Sequence, residues 1–324
     1  MIKTGIVGGG SIVANEIMKI ISIHPEAELI YVTSETSIGK PVSTVHNNLQ
    51  GIYDDLLFSK YSADEISGTC DIVFICKSHG ESSSYVKDLF DSDCKIIDMG
   101  GDFRLKDVSI FNFWYHGAKH ACPEILNKAV YGLPELYKEK IKKTNLLANP
   151  GCYATSIILA LAPLLKDNLI NPNEIIICSS SGISGAGREP KPGFNMFMDV
   201  YRNVKPYKLG VHPHIGEIEQ ELKNFSVIVS VSTQISEEVI LKCYENFYSE
   251  CGFIQILKDR IPDVKDILGT NMCSINAKID KHSSKLIIFS AIDNLIKGAA
   301  GQGVQNMNLM FGLPDTAGLE YLKK

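Results

Sequence analysis

The chain has 324 residues, of which 45% are hydrophobic and 21% charged, and its formal net charge is −5. These proportions exclude a disordered or collagen-like chain, and at about 150 residues per domain the length predicts two domains. The mild acidity gives no electrostatic reason to bind nucleic acid or an anionic membrane, so we expect neither as a partner.

The N-terminus predicts a strand, a glycine turn and a helix. Residues 2–7 are an apolar run, three glycines follow at 8–10, and apolar residues recur at helical spacing over 11–23. In such a turn, glycine lets the backbone approach a pyrophosphate, and the helix N-terminus supplies free N–H groups. The sequence VGGGSIVANEI fits the dinucleotide fingerprint GxGxxG poorly, because Val13 replaces the last glycine. A tight turn that binds no nucleotide is the alternative.

Further strands of the first half alternate with helical segments. Short apolar runs at 28–34, 71–76, 95–99 and 145–148 predict these strands. Nearly continuous apolar strands that alternate with helices indicate a parallel sheet covered on both faces. We therefore predict an N-terminal Rossmann-type, doubly wound domain.

The end of the second strand bears on the choice between NAD and NADP. An acid there binds the ribose hydroxyls, whereas Ser, Thr or Arg receives a 2′-phosphate. Ser34 favours NADP, Glu35 opposes it, and Lys40 is a candidate for the missing positive charge. These residues leave both cofactors open.

One of the nine cysteines stands in a distinctive turn. Pro150 and Gly151 in NPGCYAT force a turn between a short strand and a helix, which places Cys152 at the helix N-terminus. That position favours an anion, so we expect a lowered thiol pKa and a nucleophile for attack on a carbonyl or acyl centre. The alternative is a small apolar residue that fills the helix start.

The second half of the chain has a different pattern of apolar and polar residues. We predict a helix over 155–165, strands at 174–179, 227–233 and 285–290, and a helix over 294–310, with a Gly- and Ser-rich loop at 180–193. Alternating polar and apolar residues in the later strands indicate an antiparallel or mixed sheet with one covered face. The second domain is therefore predicted to be α+β, with its boundary near residue 150.

A nucleophile needs a base, and an anionic substrate needs cations. His212 and His214 stand just before an amphipathic helix, and Pro213 between them stiffens the segment. No third ligand lies near this pair, so we predict no metal site. Arg104 and Arg188 lie in Gly-rich loops, where a guanidinium is suited to bind carboxylate or phosphate; a surface salt bridge is the alternative for each.

The cysteines and the lack of leader-like segments bear on the compartment. The spacing of the cysteines is irregular, with no CxxC pair, so we expect reduced thiols rather than disulfides or a zinc site. No apolar stretch reaches the roughly 20 residues that a membrane-spanning helix needs, and the N-terminus does not resemble a signal peptide. We therefore expect a cytoplasmic protein.

Several long motifs are similar to those of the N-acetyl-gamma-glutamyl-phosphate reductase family, which is related to aspartate-semialdehyde dehydrogenase. They are NPGCYAT, SGISGAGR, HPHIGEIEQEL and GAAGQGVQNMNLMFGLPDTAGL, and the similarity runs from about residue 2 to residue 319. The resemblance implies an NADPH-dependent enzyme of arginine biosynthesis that forms a homodimer or homotetramer. It also implies a domain of residues 1–151 rejoined by a C-terminal helix at about 294–324, and a catalytic and oligomerisation domain of residues 152–293.

The resemblance implies roles for individual residues. The Cys152 thiolate attacks the acyl phosphate and expels phosphate, hydride from NADPH reduces the resulting thioester, and His214 is the general acid/base. His212 lines the substrate site, and Arg104 and Arg188 are candidates for the substrate phosphate or carboxylate. The implied nucleotide residues are Gly8, Gly10 and Ser11 at the pyrophosphate, Ser34 near the 2′-phosphate, and Ser181, Gly182 and Asn306 beside the nicotinamide.

The chain departs from the family pattern on the cofactor side. Ser11 and Ala14 stand where the family usually has Gly, Glu35 where it has Arg, and Ser180 where it has Lys. The NADP preference and the acyl group therefore stay open, and reductases of N-succinyl-glutamyl, aminoadipyl or aspartyl phosphate are the enzymatic alternatives. A catalytically silent dinucleotide-binding regulator is an alternative of another class.

Overall fold

A computed structural model describes residues 1–187, 196–201, 203–225 and 236–322. The strands are β1 (Ile2–Val7), β2 (Ala27–Val32), β3 (Ile72–Ile75), β4 (Lys95–Asp98), β5 (Val130–Tyr131), β6 (Leu146–Ala148), β7 (Ile254–Ile256), β8 (Cys273–Ile279) and β9 (Leu286–Ile292). The helices are α1 (Ile12–Ile21), α2 (Val42–Val45), α3 (Ala63–Thr69), α4 (Ser82–Leu89), α5 (Val108–Trp114), α6 (Pro134–Ile141), α7 (Cys152–Lys166), α8 (Phe197–Val200), α9 (His214–Lys223), α10 (Glu237–Phe247), α11 (Val264–Ile267) and α12 (Gly301–Met310).

The first sheet is parallel throughout and has the strand order β2-β1-β3-β4-β6-β5. All four residues of β3 are buried, as expected for a central strand with helices on both faces. The predicted Rossmann-type sheet is confirmed, with β5 as an additional two-residue strand. The carboxyl ends of these strands share one edge of the sheet, where doubly wound folds bind their ligands.

The last helix returns to this first sheet. Val304 and Met307 of α12 belong to the same buried cluster as Ile6 and Phe74 of the strands. Asn306 Nδ2 donates a hydrogen bond to the carbonyl oxygen of Gly132, 2.8 Å away, at the end of β5. The start of the predicted helix is wound differently: residues Ile296–Ala300 form a π-helical segment that leads into α12.

The second sheet is mixed, as predicted. Strand β7 pairs with β8 in parallel, and β8 pairs with β9 antiparallel, from Cys273 opposite Ile292 to Ile279 opposite Leu286. Helices α7 and α10 pack on this sheet. Their apolar side chains, among them Ile158 and Tyr244, form a second core with the inward face of β8.

The predicted strand at 174–179 is wrong. Residues Pro172–Glu174 form a 3₁₀ turn, the following residues are irregular, and the side chain of Ile176 is 91% exposed. A strand needs a neighbour for its backbone N–H and C=O groups, and none of the described strands pairs with this segment. The strand predicted at 227–233 lies outside the described residues.

Within the described ranges, no helix is long and apolar enough to span a membrane.

Candidate active site

Cys152 is the first residue of α7, directly after the turn that follows β6. Gly151 caps the helix in an extended conformation, and the Cys152 side chain is half-buried. Gly298, in the π-helical segment before α12, lies against Cys152. The predicted strand–turn–helix setting is thus present, and the last part of the chain helps to enclose the thiol.

His214 approaches this turn because Gly151 has no side chain. A Cβ added to Gly151 would lie 2.3 Å from His214 Nε2, which is shorter than any real contact. Arg104 Nη1 lies 3.4 Å from the same nitrogen. Because a guanidinium only donates hydrogen bonds, the contact assigns the lone pair to Nε2 and the proton of the neutral ring to Nδ1. The basic nitrogen of His214 therefore faces the turn that carries Cys152.

A buried carboxylate holds the turn before Cys152 in place. Glu217, on the first turn of α9, is fully buried; its Oε1 accepts hydrogen bonds from the Gly151 N–H at 2.7 Å and from the Tyr131 hydroxyl at 2.6 Å. Its Oε2 lies 3.6 Å from Arg104 Nη1. Sequence reasoning missed Glu217, although its place three residues after His214 on a helix puts both side chains on one face.

Arg104 links the turns that follow β4 and β6 to the Glu217 carboxylate. Its Nε donates to the Asn149 carbonyl at 2.7 Å, and its Nη2 donates to the Met99 carbonyl at 3.2 Å. These contacts fix the guanidinium beside His214 and Glu217. Substrate binding by Arg104 stays a prediction. Its observed position puts a positive charge near the Cys152 thiol and the His214 imidazole.

Aromatic rings form the outer wall of the site. The rings of His212 and His214 are 4.6 Å apart, and Tyr153 contacts both of them edge-on. The Tyr207 hydroxyl donates to the Tyr153 hydroxyl at 2.7 Å. His212 Nδ1 accepts a hydrogen bond from the His214 backbone N–H, so the two histidines hold each other in place.

The expected fall in the pKa of Cys152 is wrong. Burial raises the pKa of this thiol above its ordinary value, although the charge of Arg104 and the Tyr153 N–H lower it. Burial, together with the Arg104 charge, holds the pKa of His214 well below its usual range. A helix start favours a thiolate only where water or a cation solvates it, and here desolvation outweighs both. The pair at rest is therefore a neutral thiol and a neutral imidazole.

The glycine turn at the N-terminus has the shape that a pyrophosphate needs. Gly8 adopts φ +84, and a Cβ there would lie 2.5 Å from the Cys76 carbonyl oxygen, whereas a Cβ on Gly10 would meet nothing within 4 Å. The Ser11 hydroxyl caps α1 by accepting the Ala14 N–H. An open space at the start of a ten-residue helix fits an anionic phosphate bridge.

Ser34, predicted to lie near the 2′-phosphate, borders a cavity that is lined by lysines other than Lys40. Ser34 follows β2 and lines a cavity of about 350 Å³ that is also lined by Lys60 and Lys77. Lys77 forms an ion pair with Glu35 at 2.5 Å. Lys40 does not line this cavity, so its predicted part in cofactor choice has no support from the geometry.

The remaining predicted residues lie in different surroundings. Ser181 and Gly182 are exposed in a loop whose Ser184 accepts a hydrogen bond from Asn294. Asn306 is buried and donates to Asn149 Oδ1 at 3.2 Å, while its own Oδ1 has no partner. Arg188 lies outside the described residues.

No group of His, Cys, Asp or Glu side chains in the described part of the chain has the arrangement of a metal site.

Comparison with known proteins agrees with the geometry. The NAD-binding domain model of semialdehyde dehydrogenase matches residues 3–144, and its dimerisation domain model matches residues 152–230 and 225–294. The predicted dinucleotide-binding domain is thereby confirmed.

Curated relatives match the chain over its whole length. An N-acetyl-gamma-glutamyl-phosphate reductase of Halothermothrix orenii is 41% identical over 99% of this chain and 98% of its own. One of Desulforamulus reducens is 38% identical over 99% of both chains. A LysW-L-2-aminoadipate/LysW-L-glutamate phosphate reductase of Nitrosopumilus maritimus is 37% identical over 98% of both.

Solved structures share the fold. Aspartate semialdehyde dehydrogenase II of Vibrio cholerae superposes with a TM-score of 0.66 at 16% identity, covering 96% of this chain and 98% of that one. An aspartate semialdehyde dehydrogenase of Candida albicans, solved with NADP, gives 0.65 at 16% identity, again over 96% and 98%. The sequence relatives and the matched domain models together show that the chain belongs to the N-acetyl-gamma-glutamyl-phosphate reductase family of semialdehyde dehydrogenases.

Proposed function

We propose that the protein reduces N-acetyl-L-glutamyl 5-phosphate with NADPH to N-acetyl-L-glutamate 5-semialdehyde and phosphate, as a step of L-arginine biosynthesis. One observation carries the proposal: Cys152 begins a helix whose preceding glycine is in contact with the basic nitrogen of His214. A thiol beside a neutral imidazole is the arrangement required for covalent catalysis at an acyl carbon. The names of the full-length relatives supply the substrate class.

In the first step, the Cys152 sulfur attacks the acyl carbon of the substrate. A carbon–sulfur bond forms, the carbon–oxygen bond to the phosphate breaks, and phosphate leaves with the electron pair. The thiol proton passes to His214 Nε2, which is unprotonated at rest because the pKa of the ring lies well below its usual range; the Arg104 Nη1–H that contacts this nitrogen moves aside as the proton arrives. Arg104 stabilises the negative charge that develops on sulfur.

In the second step, the thioester on Cys152 is reduced. When bound, NADPH supplies a hydride to the thioester carbon. His214 returns its proton to the sulfur as the carbon–sulfur bond breaks and the aldehyde forms, so the resting thiol and imidazole are restored. Glu217 keeps the Gly151 N–H and Arg104 in place during both steps and does not exchange a proton in this scheme.

The residues of the glycine turn fit the cofactor. Gly10 leaves an open space at the start of α1, and Gly8 and Ser11 shape the turn that would hold the pyrophosphate. The unpartnered Oδ1 of Asn306 is a hydrogen-bond acceptor close to the Cys152 turn, which suits a nicotinamide carboxamide. We propose Ser181 and Gly182 for the other side of the nicotinamide, and His212 and Arg188 for the substrate.

The test is the reverse reaction: phosphate-dependent reduction of NADP⁺ by N-acetyl-L-glutamate 5-semialdehyde. We expect Cys152→Ala to lose activity by about 10³-fold or more, since a covalent intermediate can no longer form. NADPH binding, followed by fluorescence titration, should survive in the same variant. Cys178→Ser, which changes an exposed cysteine, is the matched control. Activity that persists in Cys152→Ala would contradict the proposal.

A second substrate class has a specific observation in its favour. The relative from Nitrosopumilus maritimus bears the name of a LysW-linked aminoadipate or glutamate phosphate reductase and is nearly as similar as the others. A panel of N-acetyl-glutamyl, N-succinyl-glutamyl, aminoadipyl and aspartyl semialdehydes separates these reactions by their kcat/KM values. A preference for aminoadipyl or aspartyl substrate would overturn the first proposal, and no turnover of any would favour a silent regulator.

The same proposal extends to organisation and compartment. We propose a nucleotide domain of residues 1–151 completed by the segment 294–324, and a catalytic domain of residues 152–293 that forms a homodimer or homotetramer. The match of the dimerisation domain model and the contacts of α12 with α1 and α6 support this division. Nine unpaired cysteines suit a reducing cytoplasm.

A further inference from the structure

The cavity beside Ser34 gathers residues that follow three neighbouring strands. Ser34 and Glu35 follow β2, Lys77 follows β3, and Gly8 follows β1, so all of them lie at the carboxyl edge of the first sheet. Lys60 completes the cationic side of the cavity; the Tyr31 hydroxyl fixes its backbone through a hydrogen bond of 2.7 Å to its carbonyl.

Lys77 is held firmly, whereas its acidic neighbours are not. Its side chain is only 15% exposed, and its Nζ lies 5.3 Å from the centre of the Tyr85 ring, within the range of a cation–π contact. Glu35 Oε1 lies 2.5 Å from Nζ and Glu81 Oε2 lies 3.7 Å away, but these carboxylate side chains are 75% and 55% exposed. Exposed carboxylates are well solvated and contribute little when paired at a surface.

We propose that Lys77 is the residue that selects NADP(H) over NAD(H), by binding the 2′-phosphate in this cavity, and that Glu35 is a competing carboxylate which leaves Lys77 when the phosphate binds. The role that an arginine commonly plays at the end of the second strand is thereby taken by a lysine at the end of the third.

The charges favour this exchange. A phosphate monoester carries about −1.5 to −2 at neutral pH and offers three acceptor oxygens, against a single charge on Glu35. Ser34 Oγ accepts the backbone N–H groups of Thr36 and Ser37, so its own hydroxyl hydrogen remains for a phosphate oxygen. Lys60 adds a second positive charge on the same cavity. Glu35, already in water, is released at small cost.

The test compares two nucleotides that differ only in the 2′-phosphate, 2′,5′-ADP and 5′-AMP, by isothermal titration calorimetry at fixed ionic strength. Lys77→Met should weaken 2′,5′-ADP about 10- to 100-fold, as expected for the loss of a charged hydrogen bond, and change 5′-AMP by less than about twofold. Lys77→Arg should retain the preference. Glu35→Gln should tighten 2′,5′-ADP several-fold without changing 5′-AMP. Lys40→Met, outside the cavity, is the control.

Several outcomes would overturn the proposal. Equal weakening of both nucleotides by Lys77→Met would indicate a structural role, and so would a loss of preference in Lys77→Arg. An unchanged preference in Glu35→Gln would remove Glu35 as a competitor, and tighter binding of 5′-AMP by the native protein would contradict NADP(H) selection. The inference rests on the proposed cofactor alone: the titration uses no acyl phosphate and can be repeated in Cys152→Ala, so it stands or falls separately from the reaction.

Discussion

The turn that carries Cys152 and the turn that carries Gly8 both join a strand of the same sheet to a helix, but they are held in different ways. Around Cys152, buried side chains from distant parts of the chain converge: Glu217 binds the Gly151 N–H across 66 residues, and Arg104 reaches His214 across 110. At Gly8 the turn combines a positive φ and a helix cap with hydrogen bonds to its backbone: Thr33 Oγ1 accepts the Gly8 N–H at 3.1 Å, and the Gly9 carbonyl oxygen lies 2.7 Å from His46 Nε2. The first turn is thus held by buried charged side chains, and the second by backbone geometry and hydrogen bonds to its backbone.

This difference indicates which of the two sites can accept substitutions while the protein still folds. A turn that depends on buried charged side chains tolerates few substitutions, because replacing one of them leaves its buried partner unpaired. A turn that is bordered by exposed charged side chains tolerates substitution of those side chains. The departures from the family pattern at Ser11 and Glu35 lie in the second kind of site, and the cysteine and histidine motifs lie in the first.

The largest expected effect is at His214. We predict that His214→Asn lowers kcat in the reverse assay by about 10²- to 10⁴-fold, the usual range for loss of a general acid/base. His212→Asn, which changes the neighbouring imidazole, should cost much less. Equal losses in both variants would show that the two rings act only by packing and would break the contrast between the two turns.

The next effect concerns the acidity of Cys152. Because burial raises the pKa of the thiol, the thiolate fraction is small at neutral pH and falls further as pH decreases. The rate of alkylation by iodoacetamide should therefore rise throughout the range from pH 7 to 9 without reaching a plateau. The measurement is mass spectrometry of the Cys152 peptide in a Cys178→Ser background. A plateau of the rate already at pH 7 would refute the neutral resting pair.

The smallest effects separate Gly8 from Gly10. Gly8→Ala should lower the free energy of unfolding by about 1–2 kcal/mol or more, because alanine is strained at a positive φ and its methyl group would meet the Cys76 carbonyl. Gly10→Ala should leave stability within about 0.5 kcal/mol, since the space is open. Both should raise the Kd for NADPH, by about tenfold for Gly10→Ala. Calorimetric unfolding and fluorescence titration check these values, and unchanged NADPH binding in Gly10→Ala would exclude the turn as the pyrophosphate site.

The sequence predicted the parallel sheet well, because a buried strand must be apolar on both faces. It failed at 174–179, where the run EIIICS has the composition of a strand but no described neighbour. It also missed β8, since buried polar residues such as Asn276 interrupt the apolar pattern of that strand.

The site was predictable where its residues lie in one turn and not where folding brings them together. Cys152 and Gly151 are adjacent, and the pair of histidines stands out near a helix start. Glu217 was missed because its partners lie far away in the chain. Lys77 was missed for the same reason: Lys40 is closer to Ser34 in sequence, but the pairing of β1 with β3 brings Lys77, and not Lys40, to the cavity that Ser34 lines.

The return of α12 to the first sheet bears on how the protein is made. Val304 and Met307 belong to a core whose other members, such as Ile6 and Phe74, are synthesised more than 200 residues earlier. On the ribosome, the nucleotide domain must wait with part of its apolar surface uncovered until nearly the whole chain has emerged. Contacts of such long range slow folding and expose the chain to aggregation in the meantime. The first sheet therefore reaches its final packing only when the end of the chain has docked on it.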